Sequence, residues 1–164
     1  ADKATFCGCK GVGEVRYVTL QAALELSRRF VAEGLRNQPV FSAAGQVGDY
    51  LAAQLRGRRR EVVMVLLLDS QHRLLEAVEL FAGSVNSASV HPREVVQLAL
   101  AHNAVAVIVA HNHPSGVAEP SRSDVAITAR LEAALGLVDI ALLDHFIVGS
   151  GVVTSLAARG LIKS

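Results

Sequence analysis

The chain has 164 residues, 51% of them apolar and 19% charged, with a formal net charge of +1. That composition excludes a disordered or fibrous chain and supports one main core with a short extension. Near-neutrality gives no global case for nucleic acid, and apolar runs such as 62–68 and 104–110 are too short to span a bilayer, so the expectation is a soluble cytoplasmic protein without a signal peptide.

Residues 1–13 (ADKATFCGCKGVG) have no apolar period and read as a tail ending in a glycine turn. Cys7 and Cys9 alone cannot complete a structural zinc site, and a bridge across one residue would be strained, so they read as reduced thiols. From Val15 onward Leu20, Leu24 and Val31 fall at helical spacing, and Gly34 supplies a stop. Residues 35–45, with Pro39 and Gly45, mark the linker, which divides the chain into an N-terminal segment 1–40 and a main domain 41–164. A short helix fits 47–55, where Val47, Tyr50, Leu51 and Leu55 share a face, and Arg56, Arg58, Arg59 and Arg60 form a basic break after it.

Beyond the break the period changes. Residues 61–69 (EVVMVLLLD) form a continuous apolar, β-branched run, the pattern of a strand buried on both faces. A turn at 70–73 leads to a second strand over 74–83. A helix follows over 90–103 with Pro92 near its start, then a strand over 104–113 and a helix over 121–136 ended by Gly136. Two short strands around Gly149-Ser150-Gly151 and a helical turn close the chain. The order predicts an α/β fold, a mixed β-sheet sandwiched by helices, with a short N-terminal helical remnant.

The chemistry concentrates in residues 111–124 (HNHPSGVAEPSRSD). Alternate strand residues point to one face, so His111 and His113 look the same way while Asn112 looks the other, and Pro114 ends the ladder. Asp124 falls in the first turn of the next helix, where the helix dipole favours a carboxylate. Two imidazoles and one carboxylate leave a fourth tetrahedral position for water, as in a catalytic zinc site. The residues alone leave a second reading open. Ser121-x-x-Asp124 is also a capping box, and a His-x-His pair is also an ordinary polar pair at a strand end. The contiguous letters HNH are not the nuclease motif of that name, whose residues are well separated.

His-x-His, seven residues, Ser, two residues, Asp resembles the signature of the JAMM (JAB/MPN) metalloproteases, and His111, His113, Ser121 and Asp124 fall on it without a gap. The flanking text, residues 83–116 followed by LLDHFIVG, resembles the bacterial RadC-like branch, with the likeness spanning roughly 46–164. The resemblance implies a JAB/MPN-like, cytidine-deaminase-like architecture. It also implies zinc held by His111, His113 and Asp124, an oxyanion donor in Ser121, and a general-base Glu on an earlier strand. Glu61, opening the strand 61–69, occupies that place in the order of elements, with Glu79 and Glu94 as the other candidates. The activity implied is hydrolysis of a peptide or isopeptide-like amide, on an unknown protein substrate.

Asp144-His145 is a candidate to orient a zinc-bound imidazole, and Asn112 and Ser115 to shape the loop. His72, His91 and His102 have no partner pattern. Residues 9–30 resemble the back half of a helix-hairpin-helix unit, with Gly11-Val12-Gly13 as its hairpin. With Arg28, Arg29 and the basic break, that keeps two further readings: a DNA- or repair-complex-binding module that retains the metal site, and a metal-dependent phosphodiesterase. The family name links the chain nominally to DNA repair. The exposed strand ends of a mixed sheet permit a homodimer.

Overall fold

A computed structural model describes residues 3–8, 13–37, 44–82 and 90–162. The elements are α1 (Lys3–Cys7), α2 (Glu14–Asn37), α3 (Ala44–Leu55), β1 (Val62–Leu68), β2 (Leu74–Ala82), α4 (Pro92–Ala101), β3 (Ala106–Asn112), α5 (Arg122–Gly136), β4 (Ala141–Val148) and β5 (Val153–Ser155). The five strands form one sheet in the order β2-β1-β3-β4-β5. It is mixed, because β3 and β4 run parallel across the α5 crossover while the other pairs are antiparallel.

Every residue of β1 and β3 is buried, as their continuous apolar runs require of central strands covered on both faces. Alternation divides their side chains between two cores. Val62, Met64, Leu66 and Leu68 of β1, with Ala106, Ile108 and Ala110 of β3, meet α2 and α3 through Leu35, Val47, Leu51 and Leu55. Val63, Val65 and Leu67, with Val107 and Val109, meet α4 and α5 through Val95, Ala99, Leu131 and Leu135. The result is an α/β fold with helices on both faces of a mixed sheet. Each fully buried Leu or Val contributes about 1.5–3 kcal/mol.

The N-terminal reading needs correction in three places. Residues 3–7 are helical rather than tail. Gly34 does not stop the helix, which continues to Asn37; a Cβ there would stand 3.3 Å from Gln46 Oε1, so the glycine marks a close approach of α2 to α3. Of the predicted stripe only Val31 packs on the core, beside Leu35, whereas Leu20 and Leu24 are exposed. Cys9 and the Gly11-Val12 part of the hairpin lie outside the described residues. No described helix is long and apolar enough to cross a membrane.

Candidate metal centre

The site forms where β3 leaves the sheet. His111 is opposite Val63 of β1 and Ile147 of β4, and all three face the α4/α5 core. The next residue, Asn112, turns to the other side and is fully hydrogen-bonded: Oδ1 accepts from Val62 N–H at 2.9 Å, and Nδ2 donates to the carbonyls of Arg58 (3.3 Å) and Arg60 (3.1 Å). This amide clamps the backbone on either side of Glu61. The His113 N–H still bonds Val148 O at 3.0 Å, so the second imidazole is held at the strand end before Pro114.

The loop then turns at Gly116, whose φ is +83° and where an added Cβ would lie 2.0 Å from Ser150 Oγ, so a side chain there would be strained and would have to displace that hydroxyl. Ser115 Oγ accepts from Val117 N–H at 3.3 Å, and Val117 O in turn accepts from His113 Nδ1 at 2.8 Å. The loop thus fixes the orientation of the His113 ring.

Ser121 caps α5 in extended conformation, and both arms of the capping box are present. Asp124 Oδ2 accepts from the Ser121 N–H and from the Ser121 hydroxyl, each at 2.7 Å. Burial opposes ionisation of the Asp124 carboxyl, but the Ser121 hydroxyl and N–H, both donating to it, hold it well below the usual carboxylate range. It is an anion at neutral pH.

One ligand atom each from His111, His113 and Asp124 converge within 4.8 Å of one another. His111 Nε2 is 3.0 Å from His113 Nε2 and 3.3 Å from Asp124 Oδ1, and His113 Nε2 is 3.5 Å from Asp124 Oδ2. Ligands bonded to tetrahedral zinc at 2.0–2.1 Å stand about 3.3 Å apart. The spacing and the N,N,O donor set therefore fit a zinc ion, which these three residues would hold.

That cavity, about 500 Å³, is floored by His111, His113 and Asp124. Its apolar wall is Val63, Val109, Ile127 and Leu131, and Arg130, Ser121 and Glu61 also line it. Glu61 stands two residues before Val63, on the His111 face of the sheet. Glu79 pairs with Met64 on the opposite face and forms a 2.6 Å ion pair with Arg58. Glu94 is exposed in the first turn of α4 and does not line the cavity. Of the three carboxylates, only Glu61 reaches the site.

Asp144 does not orient a ligand. Its carboxylate accepts from the Ser155 hydroxyl, at 2.5 Å, and from the Ala157 and His145 N–H groups. The neighbouring His145 lies behind the His-His-Asp cluster, its Nε2 2.9 Å from His111 Nδ1 and its Nδ1 2.6 Å from Thr128 Oγ1. Burial, which disfavours a charged ring, pulls the His145 pKa down to about 3. Sequence reasoning missed Thr128, although it follows Asp124 by one helical turn and is the hydroxyl in an otherwise apolar inward stripe.

Comparison with known proteins agrees with this geometry. Residues 41–161 match the family described as RadC-like JAB domain. A UPF0758 protein of Aeromonas hydrophila is 54% identical over 160 residues, covering 98% of this chain and 71% of the relative. A UPF0758 protein of Marinomonas sp. is 53% identical over 162 residues (99% and 72%), and one of Cellvibrio japonicus 55% over 160 (98% and 71%). With the matched segment spanning most of the chain and the His-His-Asp cluster inside it, the chain belongs to the RadC-like JAB domain family.

Proposed function

We propose that this protein is a zinc-dependent hydrolase of the JAMM type that cleaves a peptide or isopeptide-like amide. The observation that carries the reading is the meeting of two imidazole nitrogens and an ionised carboxylate, 3.0–3.5 Å apart, on the floor of a cavity that also holds Glu61 and Ser121. His111, His113 and Asp124 would hold the ion. When bound, zinc supplies a Lewis acid and a water that ionises near neutral pH.

The chain's own groups do the rest. Glu61 takes the proton of the attacking water and returns it to the leaving amine, a role worth 10²–10⁴-fold. Ser121 donates its hydroxyl proton toward the oxygen on which negative charge develops. In this structure the hydroxyl donates to Asp124 Oδ2, so it must turn to serve. The apolar wall of Val63, Val109, Ile127 and Leu131 restricts water around the scissile bond.

The test is elemental analysis for zinc on the wild type beside His113→Ala and Asp124→Ala, followed by an amide-substrate screen with Glu61→Gln as control. About one zinc per chain, lost in both ligand variants, with Glu61→Gln keeping zinc but losing hydrolysis, is the expected result. No zinc after reconstitution at neutral pH would overturn it.

The alternative reading, a DNA- or repair-complex-binding module that retains the metal site, is favoured by the exposed run at Arg56, Arg58, Arg59 and Arg60 beside the loop. Ion pairing of Arg58 with Glu79 removes part of that charge. DNA affinity that falls steeply with salt, without amide hydrolysis, would mark it.

A further inference from the structure

Behind the metal centre lies a chain of hydrogen bonds that the His-x-His and Ser-x-x-Asp residues do not include. Thr128, His145 and His111 are 0%, 2% and 3% exposed, so no solvent competes for their protons. Thr128 Oγ1 lies 2.6 Å from the backbone carbonyl of Asp124, one helical turn back, and 2.6 Å from His145 Nδ1. A carbonyl can only accept. The single hydroxyl proton of Thr128 is therefore directed to Asp124 O, and the hydroxyl oxygen must accept at its other contact.

Each later step follows. His145 Nδ1 carries the proton that Thr128 accepts, so the Nε2 of this neutral ring is bare. It accepts from His111 Nδ1 at 2.9 Å, which places the His111 proton on Nδ1 and leaves Nε2 bare. The opposite order would leave the two oxygens of Thr128 and Asp124 2.6 Å apart with no hydrogen between them. His113 reaches the same state independently, because its Nδ1 can only donate to Val117 O. Two bare Nε2 lone pairs then face one another at 3.0 Å, an arrangement favourable only around a cation.

We propose that Thr128 is a positioning residue of the metal centre: its hydroxyl, acting through the ring of His145, holds the His111 proton on Nδ1 and leaves Nε2 free to bind metal. The inference rests on the zinc reading above and adds to it. The hydroxyl is oriented by the backbone carbonyl of Asp124, the residue whose carboxylate is itself the third ligand. One turn of α5 thus governs both the acid ligand and, through two side chains, the protonation site of a strand ligand. Hydrogen-bond partners of this kind typically change metal affinity 10–100-fold.

The variants are Thr128→Val, which keeps shape and removes the hydroxyl, and Thr128→Ser, which restores it. Zinc affinity is measured at one pH by competition with a chromophoric chelator, and the proton position on each ring of the metal-free protein by long-range ¹H–¹⁵N correlation of ¹⁵N-histidine. The expected result is Nδ1–H on His111 and His145 in the wild type, and zinc binding about 10–100-fold weaker in Thr128→Val but near wild type in Thr128→Ser. A merely structural Thr128 would lower the denaturation midpoint and leave both readouts unmoved. Wild-type His111 protonated on Nε2, or a folded Thr128→Val that binds zinc as tightly as wild type, overturns the proposal. If Thr128→Val does not fold, the wild-type ring spectrum decides. If the wild type binds no zinc, the hydrolase reading falls, and the same spectrum still decides the proton relay.

Discussion

Acidifying the metal-free protein should expose the cost of keeping His145 neutral. The ring is buried, with Nδ1 donating to Thr128 and Nε2 accepting from His111, and a second proton would set two N–H groups against each other at 2.9 Å. Its pKa in the fold is about 3, whereas a histidine in an unfolded chain titrates near 6.5. Because the folded value is the lower one, the unfolded chain takes up the proton first as pH falls. The stability linked to this group is complete above about pH 6.5 and is lost progressively from there toward pH 3. At 1.36 kcal/mol per pH unit, the loss between pH 7 and pH 5 is about 2 kcal/mol. Asp124, also depressed, is linked only below about pH 4, where an unfolded aspartate begins to bind its proton, so it leaves the interval from pH 7 to pH 5 clear. The assay is urea denaturation in chelator at pH 7, 6 and 5, with wild type beside His145→Gln. The variant should be the less stable protein at pH 7, and its stability should fall by about 2 kcal/mol less than wild type by pH 5. Equal falls in the two proteins would refute the claim that His145 stays neutral in the fold.

Asn112→Leu leaves the buried Val62 N–H without its acceptor and should cost about 2–3 kcal/mol, read as a lower urea midpoint at unchanged m. Gly116→Ala meets both a left-handed φ and the Ser150 hydroxyl, and should lose at least about 2 kcal/mol; adding Ser150→Gly should relieve the clash and leave about 1–2 kcal/mol of backbone strain in the melting temperature. Asp124→Asn keeps an oxygen for the Ser121 N–H but removes the charge. It should abolish zinc stoichiometry while costing only about 1 kcal/mol of metal-free stability, and unfolding of this variant would show the carboxylate to be structural instead.

Local pattern made some features legible and not others. The strands β1 and β3 stand out because central strands of a covered sheet are built on continuous apolar runs, which β3 breaks only at His111 and Asn112, and α5 because its cap and its apolar stripe agree. The course of α2 was less legible: a glycine reads as a stop unless one knows that Gln46 lies against it. Candidate bases Glu61, Glu79 and Glu94 are equivalent as letters. They separate only through register, which puts Glu61 on the His111 face and Glu79 on the other. Asp144 and His145 are adjacent in sequence, yet β4 sends them to opposite partners, so the carboxylate that seemed the natural support for a ligand imidazole serves Ser155 while the histidine takes that place.

The two readings of Ser-x-x-Asp turn out not to compete. Asp124 Oδ2 closes the capping box with the Ser121 N–H and hydroxyl, and that attachment leaves Oδ1 3.3 Å from His111 Nε2. The cap fixes the rotamer of the ligand. A free first-turn aspartate would sample several rotamers and lose side-chain entropy on binding metal; this one is already restrained by folding. The same economy holds on the strand side, where the Val117 carbonyl that ends the loop also aims His113. A helix cap and a strand-end turn, each ordinary alone, form a candidate metal centre because β3 and α5 are joined by a loop of nine residues, 113–121, that brings their ends together.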